Sequence, residues 1–213
     1  AHVDNKPISL LGKWLPSINA TCQDTRKKAF IVEKALGLSH GDYRKSLSAL
    51  RERLNVLERN MSSGDYDKVD YAKVPSVALL RHMKAFYRND SQKFTGYMDD
   101  VKAGKSKVNT SVLFADIIHM ARKNELSAED LTLLWNALPN YLGDGGEQAL
   151  VVTDTSGSMD TNENKGKPLE VALSLALYYA ERNLGPWKDH FITFSEEPKM
   201  QRILGSTITE RME

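Results

Sequence analysis

Three oxygen-bearing side chains stand at alternate positions of one short polar segment. Asp154 supplies a carboxylate, and Ser156 and Ser158 supply hydroxyl groups. Because Gly157 permits a tight turn, the three oxygens can face one point in space. Such oxygens suit a hard divalent cation, Mg²⁺ or Mn²⁺, which retains some of its waters. One carboxylate compensates a dication poorly, so the pattern predicts a metal site completed by further ligands or by an acidic partner residue.

A second interpretation of the same segment needs no metal. Serine and aspartate side chains also accept hydrogen bonds from backbone N–H groups where a helix begins. In that case the segment is a polar loop whose side chains cap the following helix.

The elements around the segment favour a ligand site. The apolar run 149–152 has the length and β-branched content of a buried strand, and it ends at Asp154. A helical pattern covers 168–183, and a second strand is predicted at 191–194. This strand–helix–strand order predicts a parallel sheet, in which ligands bind beyond the carboxyl ends of the strands.

Composition indicates an ordinary folded protein. The 213 residues are 41% hydrophobic and 27% charged, with a net charge of +1. Basic residues exceed acidic ones up to Gly146, and the reverse holds afterwards. Cys22 is the single cysteine, which favours a reducing, cytoplasmic location. No apolar run has the length of a membrane helix, so no membrane partner is expected.

Most of the chain is predicted to form helices joined by short connections. Helical periodicity predicts helices at 24–36, 41–61, 76–89, 91–102, 110–123 and 127–142, with Pro139 kinking or shortening the last. The glycine-rich run 143–146 is the best candidate boundary. The predicted fold class is therefore an α-helical HEAT-like module over 1–146 followed by a partial α/β domain over 147–213.

Several basic residues of the helical part could contact RNA. The candidates are Arg81, Lys84, Arg88, Lys102, Lys105 and Lys107. Phe86 and Tyr87 lie among the first three, and RNA recognition combines cations with aromatic rings that stack on bases. The spacing of the two aromatic residues also fits a helix core, and the periodicity favours that interpretation. Arg44, Arg51 and Arg59 form a separate basic ridge, whose usual explanation is a solvated helix face.

The segment Asp154-Thr155-Ser156-Gly157-Ser158 resembles the metal-ion-dependent adhesion site of a von Willebrand factor A domain. The preceding strand, the following helix and Ile192-Thr193-Phe194-Ser195 add to this similarity. The resemblance implies a Rossmann-like fold and a bound dication. Such domains normally contain about six strands and a later threonine ligand, whereas about 55 residues follow Ser158 here. The domain is therefore predicted to be truncated, with its sheet covered by missing strands or by another chain.

The helical part resembles the family called domain of unknown function 2828. The blocks that carry the similarity are Lys13–Ser17, Lys34–Leu38, Tyr43–Lys45, Leu50–Val56 and Lys73–Ala78. That family is itself similar to Ro/TROVE proteins, in which a helical ring precedes a von Willebrand A domain. The resemblance implies binding of single-stranded or misfolded RNA by the helices and a metal-centred recognition site after them.

Three functions fit these features. The first is a non-enzymatic RNA-binding protein of the Ro type. The second is a protein-interaction module whose metal is completed by a partner's acidic residue, and the third is a scaffold piece of a larger assembly such as a viral particle. An enzyme is not expected, because the sequence lacks the G-x-S-x-G and G-x-x-x-x-G-K-[ST] patterns and its histidines show no metal-ligand spacing.

Overall fold

A computed structural model describes residues 8–109, 114–143, 149–161 and 167–213. The chain forms two compact units, Ala1–Val69 and Asp70–Glu213. The helices of the first unit are α1 (Leu11–Trp14), α2 (Gln23–Ala35), α3 (His40–Arg53) and α4 (Leu57–Ser63). Those of the second are α5 (Ser76–Asn89), α6 (Ser91–Lys102), α7 (Phe114–Arg122), α8 (Ala128–Asn136), α9 (Lys167–Arg182) and α10 (Ile208–Arg211). The strands are β1 (Val151–Asp154), β2 (His190–Phe194) and β3 (Lys199–Arg202).

The first unit is built around a small apolar core. Ala29 of α2 packs with Tyr43 and Leu47 of α3 and with Ile18 from the preceding loop. The Tyr43 hydroxyl donates to the carbonyl of Pro16 at 2.9 Å, which fixes that loop against α3. The Ser39 side chain caps α3 by accepting a hydrogen bond from the backbone N–H of Asp42 in the first turn.

The single helix predicted over 41–61 is wrong, because the chain breaks between α3 and α4. Asn55 adopts a left-handed backbone conformation with φ of 49°, which interrupts the α-helical ladder. Its side chain donates to the Lys68 carbonyl at 3.2 Å and accepts from Asn60 at 2.7 Å. These bonds hold the break in place. The apolar spacing continues across it and therefore gave no sign of it.

The second unit begins with an aromatic core. Tyr71, Phe86 and Phe94 meet at ring-centroid distances of 4.9 to 5.3 Å, mostly edge to face. Phe86 and Phe94 are fully buried. These contacts hold α5 against α6, as expected from the preference of aromatic pairs for offset geometry. Phe86 therefore belongs to the core, the alternative that its helical spacing had left open.

Helices α7 and α8 join the first part of this unit to the sheet. Trp135 of α8 is completely buried, and its Nε1–H donates to Glu181 of α9 at 2.7 Å. Tyr178 of α9 donates to the carbonyl of Pro139 at 2.5 Å and stacks on Phe114 of α7 at 4.3 Å. The helix predicted over 127–142 ends at Asn136. Pro139 was expected to kink or shorten this helix, and the helix does end before it.

The sheet has the order β1-β2-β3. Strands β1 and β2 are parallel, with Val151 opposite Phe191 and Asp154 opposite Phe194. Strand β3 runs antiparallel to β2. The predicted strand–helix–strand unit with a parallel strand pair is thereby confirmed, and the three-stranded mixed sheet makes this part a small α/β structure.

Apolar or small residues occur nearly all round α9, which predicts a largely buried helix, and this prediction is wrong because one face of the helix is exposed. Val171, Leu175 and Tyr179 are 47%, 39% and 42% exposed. Their spacing of four residues places them on one stripe that faces solvent. On the opposite side of the helix, Leu177 and Ala180 are buried. A sheet with only three described strands covers one side of the helix.

The division into modules at residues 143–146 stays a prediction, since 144–148 lie outside the described residues. Helix α7, which precedes this run in the sequence, packs directly on α9, which follows it. Among the helices of the described residues, none is long and apolar enough to cross a membrane.

Helix α10 is held by a capping box that places Ile208 in the core of the second unit. Thr207 and Glu210 exchange side-chain to backbone hydrogen bonds. Glu210 also accepts from the Ser206 N–H at 2.7 Å. Gly205 has φ of +105°, and a Cβ there would lie 2.4 Å from the Cβ of Glu210, so only glycine fits.

Glu210 gives this loop a predictable pH dependence. Hydrogen bonds from the N–H groups of Thr207 and Ser206 lower the pKa of Glu210 from 4.5 to about 2. A depressed folded-state pKa adds stability that is present above the unfolded pKa and is lost as pH falls toward the folded one. We expect Glu210→Gln to lower the melting temperature at neutral pH, and the difference from wild type to shrink between pH 4.5 and about 2. A difference that stays constant over this range would show that the charge contributes nothing.

Candidate functional site

The predicted site lies where the sequence places it, at the carboxyl end of β1. The backbone N–H of Thr155 donates to the carbonyl of Phe194 at 2.9 Å, so the loop starts against the end of the neighbouring parallel strand. A short 3₁₀ helix, Gly157–Met159, then turns the chain back. Ser156 thereby lies beside both Asp154 and Ser158.

The three predicted ligand side chains are brought together. The Ser156 N–H donates to Asp154 Oδ1 at 2.9 Å. The hydroxyl oxygens of Ser156 and Ser158 lie 3.1 Å apart. Hydrogen bonds from the Ser156 hydroxyl and then from its N–H hold the pKa of Asp154 below its usual value. The carboxylate therefore stays ionised at neutral pH. Asp154 and Ser156 are half-buried, and Ser158 is exposed.

This donor set fits a small dication. Neighbouring oxygens around an octahedral ion with bonds of 2.0–2.1 Å lie about 2.9 Å apart. The serine oxygens, at 3.1 Å, are already close to that separation. The three residues would supply one charge and three oxygens, which leaves room for water and for an acidic ligand from elsewhere. Within the described residues, no group of three histidine, cysteine, aspartate or glutamate side chains could hold a metal ion.

A charged cluster that the sequence did not suggest supports the loop. Arg122 of α7 donates to Asp160, directly after the 3₁₀ helix, at 2.7 Å. It also reaches Glu170 of α9 at 3.5 Å. His119, one turn earlier in α7, contacts the same Glu170 at 2.8 Å. Glu170 is only 7% exposed at its side chain. These partners are 38 to 51 residues apart along the chain, so no local pattern could have indicated them.

The six basic residues predicted to bind RNA are all exposed. Lys84 and Arg88 line one pocket, and Lys107 lines another. Lys84 lies 3.6 Å from Glu125, and the shallow pocket beside it also contains Asp130. Tyr87 donates its hydroxyl to Asp130 at 2.9 Å. Burial and the Asp130 carboxylate raise the pKa of Tyr87. The Tyr87 hydroxyl is therefore already engaged in a hydrogen bond with Asp130. RNA binding by the six basic residues stays a prediction.

Comparison with known proteins identifies two regions of similarity. The family model of a domain of unknown function, DUF2828, matches residues 23–138. A second domain of unknown function, DUF7788, matches residues 148–213. The uncharacterized protein L728 of Acanthamoeba polyphaga mimivirus is 34% identical to this chain over an alignment of 228 residues in length. The alignment covers 96% of this chain and 38% of that protein. No solved structure matches.

Proposed function

This chain belongs to the family of the domain of unknown function DUF2828, and we propose that its part after residue 148 is a von Willebrand A-like recognition module. In this proposal a divalent cation, Mg²⁺ or Mn²⁺, binds at Asp154, Ser156 and Ser158. The observation that supports it most is the 3.1 Å separation of the two hydroxyl oxygens beside an ionised carboxylate at the end of a parallel strand.

The proposed ligand of the bound cation is an acidic side chain of another protein. Asp154 contributes a single negative charge, so a dication held there keeps a net positive charge and open coordination positions. A carboxylate from a partner would neutralise the remaining positive charge and fill an open coordination position with a hard oxygen. Ser158 is exposed, so the outer side of the loop is accessible to a partner.

The proposed role is binding rather than catalysis. The Ser156 hydroxyl contacts the Ser158 hydroxyl and Asp154, and both of these are oxygen groups that can bind a cation. A serine nucleophile instead needs a base, usually an imidazole, within hydrogen-bond reach. The imidazole of His119, which belongs to the cluster supporting the loop, is directed to Glu170 instead.

A titration with Mn²⁺ tests the proposal directly. We expect electron paramagnetic resonance of free Mn²⁺ to report one saturable site per chain, from which Mg²⁺ displaces the ion. We further expect a short peptide that contains aspartate to bind more tightly with Mn²⁺ present than with a chelator. Absence of saturable Mn²⁺ binding at millimolar concentrations would contradict the metal site. Binding of Mn²⁺ without any effect on the peptide would contradict the partner.

RNA binding by the helices of the second unit is a second candidate function, and the exposure of all six predicted cations favours it. We expect affinity for single-stranded RNA to fall with added salt, because each neutralised phosphate releases counterions. Replacing Lys102, Lys105 and Lys107 together by alanine is expected to reduce the slope of log affinity against log salt by about 0.7 for each of these lysines that binds a phosphate. An unchanged slope would exclude this loop as the binding surface.

A further inference from the structure

A basic groove lies in the first unit, far along the chain from the proposed metal loop. Its volume is about 580 Å³, and it opens between α1 with the loop after it on one side and helices α3 and α4 on the other. The charged and aromatic residues along it are Lys13, Trp14, Arg44, Arg51, Glu58 and Arg59. Four cations against one acid give the groove a positive potential, which attracts anions.

Two of the arginines are held in place by the fold. Arg51 donates to the carbonyl of Leu15 at 2.9 Å. Arg59 donates to the carbonyl of Ser48 at 2.9 Å and pairs with Glu52 at 3.0 Å. A guanidinium has five N–H donors in a fixed plane, so each of these contacts leaves others for a ligand. Such pre-oriented arginines suit phosphate groups, which accept two parallel hydrogen bonds.

The third arginine is open to solvent. Arg44 is exposed on α3, and within the described residues no ion pair joins it to another side chain. Arg44 and Arg51 line the same groove and lie two turns apart on one face of α3, so a ligand with several phosphate groups is needed to contact both.

Trp14 adds an aromatic surface beside these cations. Its side chain is 74% exposed, which is unusual for tryptophan. The ammonium of Lys13 lies 5.4 Å from the centre of its ring. An exposed indole next to cations can stack on a planar heterocycle while the cations contact its phosphates.

We propose that this groove binds a free nucleoside polyphosphate, with the base on Trp14 and the phosphates on Arg44 and Arg51. The volume lies within the range of about 300–1,000 Å³ that small-molecule sites occupy. The cations cluster around one cavity instead of following a track, as a nucleic-acid strand would require. This ligand and this unit lie outside the metal-dependent recognition proposed above, and neither proposal depends on the other.

Isothermal titration of the whole chain tests this inference, with a chelator present so that no cation binds at Asp154. The probes are ATP, adenosine, inorganic tripolyphosphate and a single-stranded oligonucleotide at equal salt. We expect ATP to bind at least about tenfold more tightly than adenosine or tripolyphosphate, because only ATP provides both the base and the phosphates.

Two variants and a matched control locate the binding site. Trp14→Ala and Arg44→Ala are each expected to weaken ATP binding by about tenfold. Both side chains are exposed, so the melting temperature should not change. Arg26→Ala removes an equally exposed arginine of the same unit that does not line the groove, and it should bind ATP like wild type.

Three results would overturn the inference. The first is no measurable ATP binding at millimolar concentration. The second is equal affinity for ATP and tripolyphosphate together with no effect of Trp14→Ala, which would mean unspecific anion attraction. The third is an oligonucleotide affinity far above that of ATP and abolished in Arg44→Ala, which would make the groove part of a strand-binding surface.

Discussion

Replacing Asp154 with asparagine is expected to lower the affinity of the chain for Mn²⁺ by at least about 100-fold. Asparagine keeps the oxygen that accepts from the Ser156 N–H, so the loop should retain its conformation. It removes the one carboxylate of the three predicted ligands. Removing residues that merely orient a ligand already costs about 10- to 100-fold in metal affinity, and a charged ligand contributes more. Electron paramagnetic resonance of free Mn²⁺ measures the change.

A graded series separates this effect from general damage to the loop. Ser156→Ala and Ser158→Ala remove neutral oxygens, and we expect each to weaken binding by about tenfold. Asp24→Ala removes an exposed carboxylate of α2 in the first unit and should leave binding unchanged. If Asp154→Asn bound Mn²⁺ as wild type does, the capping interpretation of this segment would be the correct one.

Replacing Trp135 with alanine is expected to destabilise the second unit by ~3–5 kcal/mol, the usual cost of truncating a fully buried large aromatic residue. Trp135 is completely buried, and its ring meets Phe114 and Tyr178 edge to face at 6.4 Å. The cavity would lie where α7, α8 and α9 converge, and these elements can close it only by shifting toward one another, which their other contacts resist. Urea unfolding followed by far-ultraviolet circular dichroism measures the loss of stability.

A companion variant divides this cost between packing and hydrogen bonding. Trp135→Phe keeps most of the ring and removes the Nε1–H that donates to Glu181. Arg211 still donates to that carboxylate at 3.1 Å, so we expect stability to fall by only about 1–2 kcal/mol. Leu204→Ala, at a site 66% exposed, should change stability by less than about 0.5 kcal/mol. A destabilisation of similar size in all three variants would contradict the packing argument.

The local features of the fold could be predicted from the sequence. The strand ending at Asp154, the helix after it and the strand at 191–194 are present as β1, α9 and β2. Each is a short apolar or periodic run that ends at polar residues, which is a local property. The proximity of Asp154, Ser156 and Ser158 could be predicted for the same reason, because they lie within five consecutive positions.

The remaining features depend on contacts between distant residues or on one backbone angle. The break at Asn55 leaves the apolar spacing intact, and the left-handed conformation that causes it costs asparagine less than most residues. The solvent-facing stripe of α9 depends on how many strands cover the helix, which composition cannot state. The contact of Arg122 with Asp160 joins positions 38 residues apart. An asparagine after Leu54 is the one local signal that could have indicated the break.

The bridge formed by Arg122 has a mechanical consequence for the proposed module. Its guanidinium joins Asp160, at the end of the ligand loop, to Glu170 in α9. Tension applied to the loop by a bound partner would pass to α7 through the Arg122 side chain. The arginine and Asp160 are 29% and 44% exposed, so salt screens the link. High ionic strength should therefore weaken the ion pair that attaches the loop to α7, even at salt concentrations where the cation stays bound.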